Sequence, residues 1–287
     1  MARLFPVVLL SFFLGACDIF NEEELAPGFI YIDSADVFTN LPLEGPPTHN
    51  ITDVHVFANE TFVGSFELPA RIAILENGPT RINVSAGIKN NGQIAQRVIY
   101  PFYAPLLREM DLIPGVVLPI REDSIAEFTY FQDAYEFYFE DFESIGNALE
   151  AAEGSSAEII TQDQEVNFGQ FSGQVTLTSD APLFEARTTW DTGGLPVGTP
   201  AYMEIDFKGN NPLEIGMVRQ IGDAQQKIFV IGLREQEEWT KVYIDLRPRM
   251  AQAVGTSDFS FYFESQKPPQ LSQVDLFIDN IKFVHLK

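Results

Sequence analysis

The sequence predicts an all-β chain of two sandwich domains behind an N-terminal export segment. Three observations predict it. Apolar residues recur with period two in many short runs, as in Val54, Val56 and Ala58. Gly, Pro and Asn punctuate those runs. The only stretch with helical character is short, near Pro248–Val254. Runs of about four to eight alternating residues between such breakers read as strands.

The chain opens with Arg3 and an apolar run from Leu4 to Leu14. That run has signal-peptide length and is too short to span a bilayer. Leu14-Gly15-Ala16-Cys17 follows and resembles the lipobox of bacterial lipoproteins. The resemblance implies a signal peptide over residues 1–16 and a mature chain starting at Cys17, its thiol joined to diacylglycerol and its amine acylated in many bacteria. More than one acyl chain is needed for stable anchoring, each buried CH₂ adding about 0.8 kcal/mol. Residues 17–27 form an acidic tether with Asp18, Glu22, Glu23 and Glu24. It is similar to the export signal of surface-exposed lipoproteins of Bacteroidetes. The expected location is the outer membrane, facing either the periplasm or the medium.

Residues 28–120 read as a small β-sandwich. Ile72 and Ile74 alternate around Ala73, and Ile82 and Val84 around Asn83. Asn91-Gly92 is a hairpin signal. The stretch "VFANETFVGSFELPARIAIL" resembles the PEGA and carboxypeptidase-regulatory sandwich modules, which implies a spacer or support. Four prolines (101, 105, 114 and 119) mark a last strand and a linker.

Residues 121–287 read as a jelly roll. "EFTYFQDAYEFYFEDFES" is the lead-in and first strand. "AEIIT", "GQVTLTS", "AYMEIDFKG", "LEIGMVR", "KIFVIGL", "WTKVYIDL", "DFSFYFES" and "VDLFIDNIKFVHL" supply the rest. That density of short strands is characteristic of a sandwich or jelly roll. The order of "FEDFE", "SGQVTLTS", "WTKVYIDL" and "VDLFIDNIKF" is similar to the galactose-binding-like jelly roll of carbohydrate-binding modules. "LPVGTPAYMEIDFKGNNPLEIGMV" resembles segments of Bacteroidetes lipoproteins. The jelly-roll resemblance implies a structural calcium at Glu140, Asp141 and Asp279, with Glu143 further out. Backbone carbonyls would complete its six to eight ligands. If no cation binds, Asp141 and Asp279 are turn caps.

A ligand face follows from strand alternation. Tyr202, Glu204 and Asp206 leave the core phase of one strand, Tyr243 and Asp245 that of another, and Tyr262 and Glu264 that of a third. Aromatic rings stack on sugar CH faces and carboxylates accept sugar hydroxyls, so Tyr202, Glu204, Tyr243 and Tyr262 are candidate glycan contacts. Tyrosine also favours half-buried strands without any ligand. Trp190, before a Gly-rich loop, is a further contact candidate, and Trp239 is expected in the core.

Charge and motif content bound the function. There are 41 acidic against 18 basic residues and a net charge of −23. That field disfavours nucleic acid. A lone cysteine excludes an intramolecular disulfide and a multi-thiolate zinc site. No HExxH, CxxC, GxSxG or GxxxxGK[ST] occurs. The three histidines (His49, His55, His285) are scattered, with His55 and His285 read as solvated. No nucleophile–base constellation can be assembled. The expectation is a non-catalytic, lipid-anchored envelope protein whose jelly roll binds a glycan or an envelope component. A structural lipoprotein with a protein partner stays open beside it.

Overall fold

The computed structural model describes residues 26–131, 135–190, 192, 200–221, 224–251 and 259–287. Cys17 and the acidic tether up to Leu25 lie outside them. The described chain is almost wholly β, in two sandwiches, as the alternation predicts.

The first sandwich is built from eleven strands: β1 (Gly28–Ile32), β2 (Ser34–Phe38), β3 (Asp53–Ala58), β4 (Thr61–Glu67), β5 (Ala70–Ile74), β6 (Gly78–Lys89), β7 (Arg97–Ile99), β8 (Tyr103–Ala104), β9 (Leu106–Leu112), β10 (Val117–Pro119) and β11 (Ile125–Tyr130). One sheet has the order β4-β3-β6-β7, with β9 also on β6. Two smaller sheets, β10-β1-β5 and β2-β11-β8, complete the set. β1 and β2 are separated only by Asp33. They pair in parallel with β10 and β11, so both tracks run in one direction. Val54, Val56, Ile82 and Val84 share one core with Ile30, Ile32, Ile72, Ala126 and Phe128.

β11 shifts the expected domain boundary. The proline-rich stretch suggested a linker ending at 120, yet Ile125–Tyr130 pairs with β2 and β8. Ala126, Phe128 and Tyr130 are buried in the first core. The chain changes sandwich only after Tyr130. Pro119 sits in β10, which pairs on one side with β1 and leaves its other edge free, a position that tolerates a missing N–H.

The second sandwich has β12 (Tyr135–Glu140), β13 (Leu149–Ala151), β14 (Ile160–Gln162), β15 (Ser172–Leu177), β16 (Leu183–Thr188), β17 (Ala201–Gly209), β18 (Leu213–Ile221), β19 (Ala224–Leu233), β20 (Gln236–Asp245), β21 (Phe259–Gln266) and β22 (Val274–Leu286). Two antiparallel sheets, β14-β15-β22-β17-β20 with β12 on β22, and β13-β16-β21-β18-β19, close a jelly-roll core. Met203, Ile205 and Phe207 enter it from β17, and Phe261 and Phe263 from β21. Near the expected helix the chain forms one turn, Arg247–Met250. Residues 252–258 lie outside the description.

The Asn91-Gly92 turn forms with both residues at positive φ, 54° and 66°. Its loop also reaches the second sandwich. Asn91 N–H donates to Tyr243 O at 2.8 Å, and Asp245 N–H donates to Asn91 Oδ1 at 3.0 Å.

Candidate functional site at the junction of the two sandwiches

Alternation predicted correctly which side chains of β17 and β20 leave the jelly-roll core. It did not predict what covers them. Tyr202 and Tyr243 are each 1% exposed and Glu204 is 0% exposed. Tyr202, Tyr243 and Val284 pack into the core of the first sandwich. The expected open sugar platform on this sheet is therefore corrected: the face is a sealed interface within the chain.

The interface holds a charge-balanced buried network. Glu204 Oε1 accepts the hydroxyls of Tyr100 at 2.6 Å and Tyr130 at 2.7 Å. Lys241 Nζ lies 3.6 Å from Glu204 Oε2 and 3.5 Å from Asp206 Oδ2. Asp206 Oδ2 also accepts from Thr48 Oγ1 at 2.7 Å and Asn280 Nδ2 at 2.9 Å. Lys282 Nζ donates to Tyr130 Oη at 3.0 Å and Pro46 O at 3.2 Å. Burial alone would raise the Glu204 carboxyl. Lys282, Lys241 and the two tyrosine hydroxyls outweigh it and hold it below the usual range. Burial pushes Lys282 down to about 8, against the pull of Glu204.

The segment joining β2 to β3 straps the two bodies together. It makes one helical turn, Leu41–Glu44, then turns back at Gly45. Gly45 has φ +70°, and a Cβ there would come within 3.0 Å of the Phe139 ring, so both backbone and space call for glycine. Beyond it Thr48 contacts Asp206, and Asn50 donates to Lys241 O at 3.0 Å.

Beside this seal lies a cleft of about 540 Å³. Its walls are the end of β2 (Phe38), the strap (Thr39, Asn40, Leu43, Glu44), the end of β11 (Thr129 to Phe131) and the start of β12 (Tyr135 to Phe137), with Lys287 at the rim. Phe38 is 52% exposed, Phe131 40% and Leu43 66%, so these side chains are not core that happens to line a gap. Tyr130 is shared by both parts of the junction. Its ring stands 5.0 Å from that of Phe137, and its hydroxyl reaches Glu204. Glu44 Oε2 accepts the Asn40 N–H at 2.7 Å, and the Glu136 side chain is 50% exposed.

The other expected site residues are placed elsewhere. Tyr262 lies on the opposite sheet and is 1% exposed. It donates to Glu214 Oε1 at 2.5 Å, under Lys227 Nζ at 4.7 Å from the ring centroid. It therefore neither shares a face with Tyr202 and Tyr243 nor offers a ring for stacking. Trp190 is half-buried, 6.1 Å from the Tyr138 ring and 6.3 Å from Phe261. Most of the Gly-rich loop after it lies outside the described residues. Trp239 is also half-buried and outside the jelly-roll core, 6.5 Å from Phe277. His55 and His285 are buried rather than solvated, His55 against Ser65 and His285 beneath Tyr138.

At the three expected calcium ligands the carboxylates accept backbone N–H groups. Glu140 accepts the N–H groups of Phe142 and Ala148, and Asp141 accepts that of Glu143. Asp279 accepts from Asn167, Phe168 and Asn280. Among the described residues no group of three His, Cys, Asp or Glu could hold a metal ion. The residues act as turn caps.

No family model matches the sequence, and no curated protein matches it. Among solved structures, the CBM22-1 xylan-binding domain from Paenibacillus barcinonensis is 12% identical, with a TM-score of 0.41 over 55% of this chain and 99% of its own. A second CBM22 xylan-binding domain is 14% identical, with a TM-score of 0.38 over 54% and 97%. A variant of a family 29 carbohydrate-binding module is 13% identical, with a TM-score of 0.33 over 52% and 91%. At that likeness no residue role transfers.

Proposed function

We propose that this chain is a non-catalytic, lipid-anchored envelope protein that binds a saccharide in the cleft between its two sandwiches. The observation that carries the reading is the set of solvent-facing rings, Phe38 and Phe131, set in one concave site with Thr39, Asn40, Thr129, Glu44 and Glu136. Exposed rings offer faces to sugar CH groups, and the short polar side chains offer hydrogen bonds to hydroxyls. Ligand sites favour clefts at domain junctions.

Placement supports the same reading. Near the start of the described chain the Pro27 carbonyl accepts the Gly115 N–H. The chain then runs through β1 and β2 to Phe38 at the cleft. At about 3.3 Å per residue those strands span up to roughly 33 Å. The first sandwich would serve as an arm holding the cleft away from a membrane-bound Cys17.

Two experiments test this. Cys17→Ser is expected to move the protein from the membrane to the soluble fraction of cells; unchanged fractionation removes the anchor. Affinity electrophoresis of the full chain against neutral envelope and plant polysaccharides is expected to show retardation. Phe38→Ala with Phe131→Ala should weaken it at least tenfold, each ring contributing about 1 kcal/mol. Tyr262→Phe should leave it unchanged. Retardation indifferent to the double variant places the site elsewhere. The absence of any retardation leaves the exposed Leu43 and Phe38 to a protein partner.

A further inference from the structure

One end of the first sandwich carries an apolar tip. Residues 113–119 read "IPGVVLP", with no charged or polar side chain, and all but Leu118 are exposed. The Val116 N–H donates to Ile113 O at 3.0 Å and closes a turn around Pro114 and Gly115, with Gly115 at φ 75°. A Cβ on Gly115 would meet nothing within 4 Å, so the turn projects into open space. Leu75 stands at the same end and is 67% exposed: it follows Ile74, which pairs with Gly28, while Phe29 pairs with Val117. The charged neighbours Arg71, Glu76 and Asp111 flank the tip without interrupting the run, and Arg71 lies 4.1 Å above the Phe29 ring. Turns in water are normally polar, and a run of exposed apolar residues marks a contact surface.

The connection of the chain decides what that surface meets. The Gly115 N–H of the turn donates to Pro27 O, so the segment from Cys17 arrives at the tip. Cys17 precedes Pro27 by ten residues, a reach of at most about 36 Å. The junction with the second sandwich lies at the opposite end. β6 begins at Gly78, opposite Leu112, and runs 12 residues to Lys89, a span of about 36 Å, before Asn91 meets Tyr243. A stable protein interface uses roughly 20–30 residues a side, far more than one turn and a strand end supply. A lipid surface needs only a few apolar side chains at its acyl boundary.

We propose that this tip, formed by Leu75, Ile113, Val116 and Val117, dips into the bilayer that holds Cys17 and stands the first sandwich upright on it, with the junction facing outward. The inference rests on the lipid-anchor reading and adds to it a second contact, made by the fold itself.

The test uses the full chain, matured in cells and reconstituted into phosphatidylcholine vesicles at less than one chain per vesicle. Val116→Cys carries an environment-sensitive dye, and Ile94→Cys, in the exposed loop after β6, carries the same dye as a reference. Cys17 is the only native cysteine, so an acylated Cys17 leaves one thiol to label. Brominated acyl chains are expected to quench the Val116 dye at least twofold and to leave the Ile94 dye unchanged. Leu75→Asp with Ile113→Asp, both at exposed positions, should abolish the quenching while the chain stays on the vesicle. Quenching that survives this double variant overturns the inference. An unquenched Val116 dye on a vesicle-bound chain overturns the tip contact and leaves the anchor standing. Equal quenching of both dyes overturns the upright placement. Two dyes per chain on a protein that stays in solution overturn the anchor and the tip together. Shielding of the Val116 dye that sets in only at many chains per vesicle overturns the lipid contact in favour of a second copy.

Discussion

Glu204→Ala is expected to destabilise the protein by about 3–5 kcal/mol, the range for removing one partner of a buried ion pair. The side chain is fully buried, and its carboxylate receives two tyrosine hydroxyls within 2.7 Å. Without it Tyr100 and Tyr130 lose their acceptor, and Lys241 and Lys282 are left with Asp206 and Glu44 as the carboxylates that face them. A lone buried cation is costly, and an orphaned hydroxyl adds about 1–3 kcal/mol. Glu204→Gln keeps the shape and one acceptor but not the charge, so an intermediate loss is expected. Glu204→Leu combined with Lys282→Met removes both ions together and should recover part of the loss, because apolar replacement of a whole buried pair is often neutral. Urea unfolding followed by tryptophan fluorescence measures all three. A loss under 1 kcal/mol for Glu204→Ala would mean that the network is not sealed. Recovery in the double variant separates a charge effect from a cavity.

That network also marks where sequence reasoning stopped. The bounds of β17 follow closely from alternation, because Met203, Ile205 and Phe207 present one apolar phase to the jelly-roll core; β22 switches phase at Asp279–Asn280, from Val274, Leu276 and Ile278 to Ile281 and Phe283. Alternation records which side chains leave a core; it says nothing of what lies beyond them. Tyr202, Glu204 and Tyr243 left the jelly-roll core as expected and entered a second interface. A signal was available. The outward phase of β22 carries Asn280, Lys282 and Val284, and that of β20 carries Lys241 beside Tyr243. Large apolar side chains mixed with opposite charges on one strand phase suit a covered face better than a washed one. The cleft had no comparable signal. Phe38 and Phe131 sit at strand ends beside loops, where no period distinguishes an exposed ring from a buried one. The boundary at Tyr130 was hidden because aromatic residues recur from Phe128 to Phe142 with no Gly or Pro to mark a turn.

Stability is expected to fall as pH rises from about 4 to about 7, through Asp279. Burial lifts its carboxyl from 3.8 to about 7. The N–H groups of Phe168, Asn167 and Asn280 pull the other way without offsetting burial, and Asp206 nearby adds to the rise. In that window the folded chain holds a proton that the unfolded chain has released, so folding is favoured by acid. The contribution is complete below 3.8 and gone above about 7. Three pKa units correspond to about 4 kcal/mol at most. Asp279→Asn is neutral at every pH and still offers a carbonyl to Asn167 and Phe168, so the acid-dependent slope should disappear. Its amide nitrogen would face the Asn280 N–H, which costs a hydrogen bond and lowers the whole curve by about 1 kcal/mol. The many other carboxylates titrate in both proteins, so the difference between the two curves isolates this one. Unfolding free energies at pH 4, 5.5, 7 and 8 measure it. Parallel curves would mean that Asp279 is ionised throughout, its three N–H donors outweighing burial.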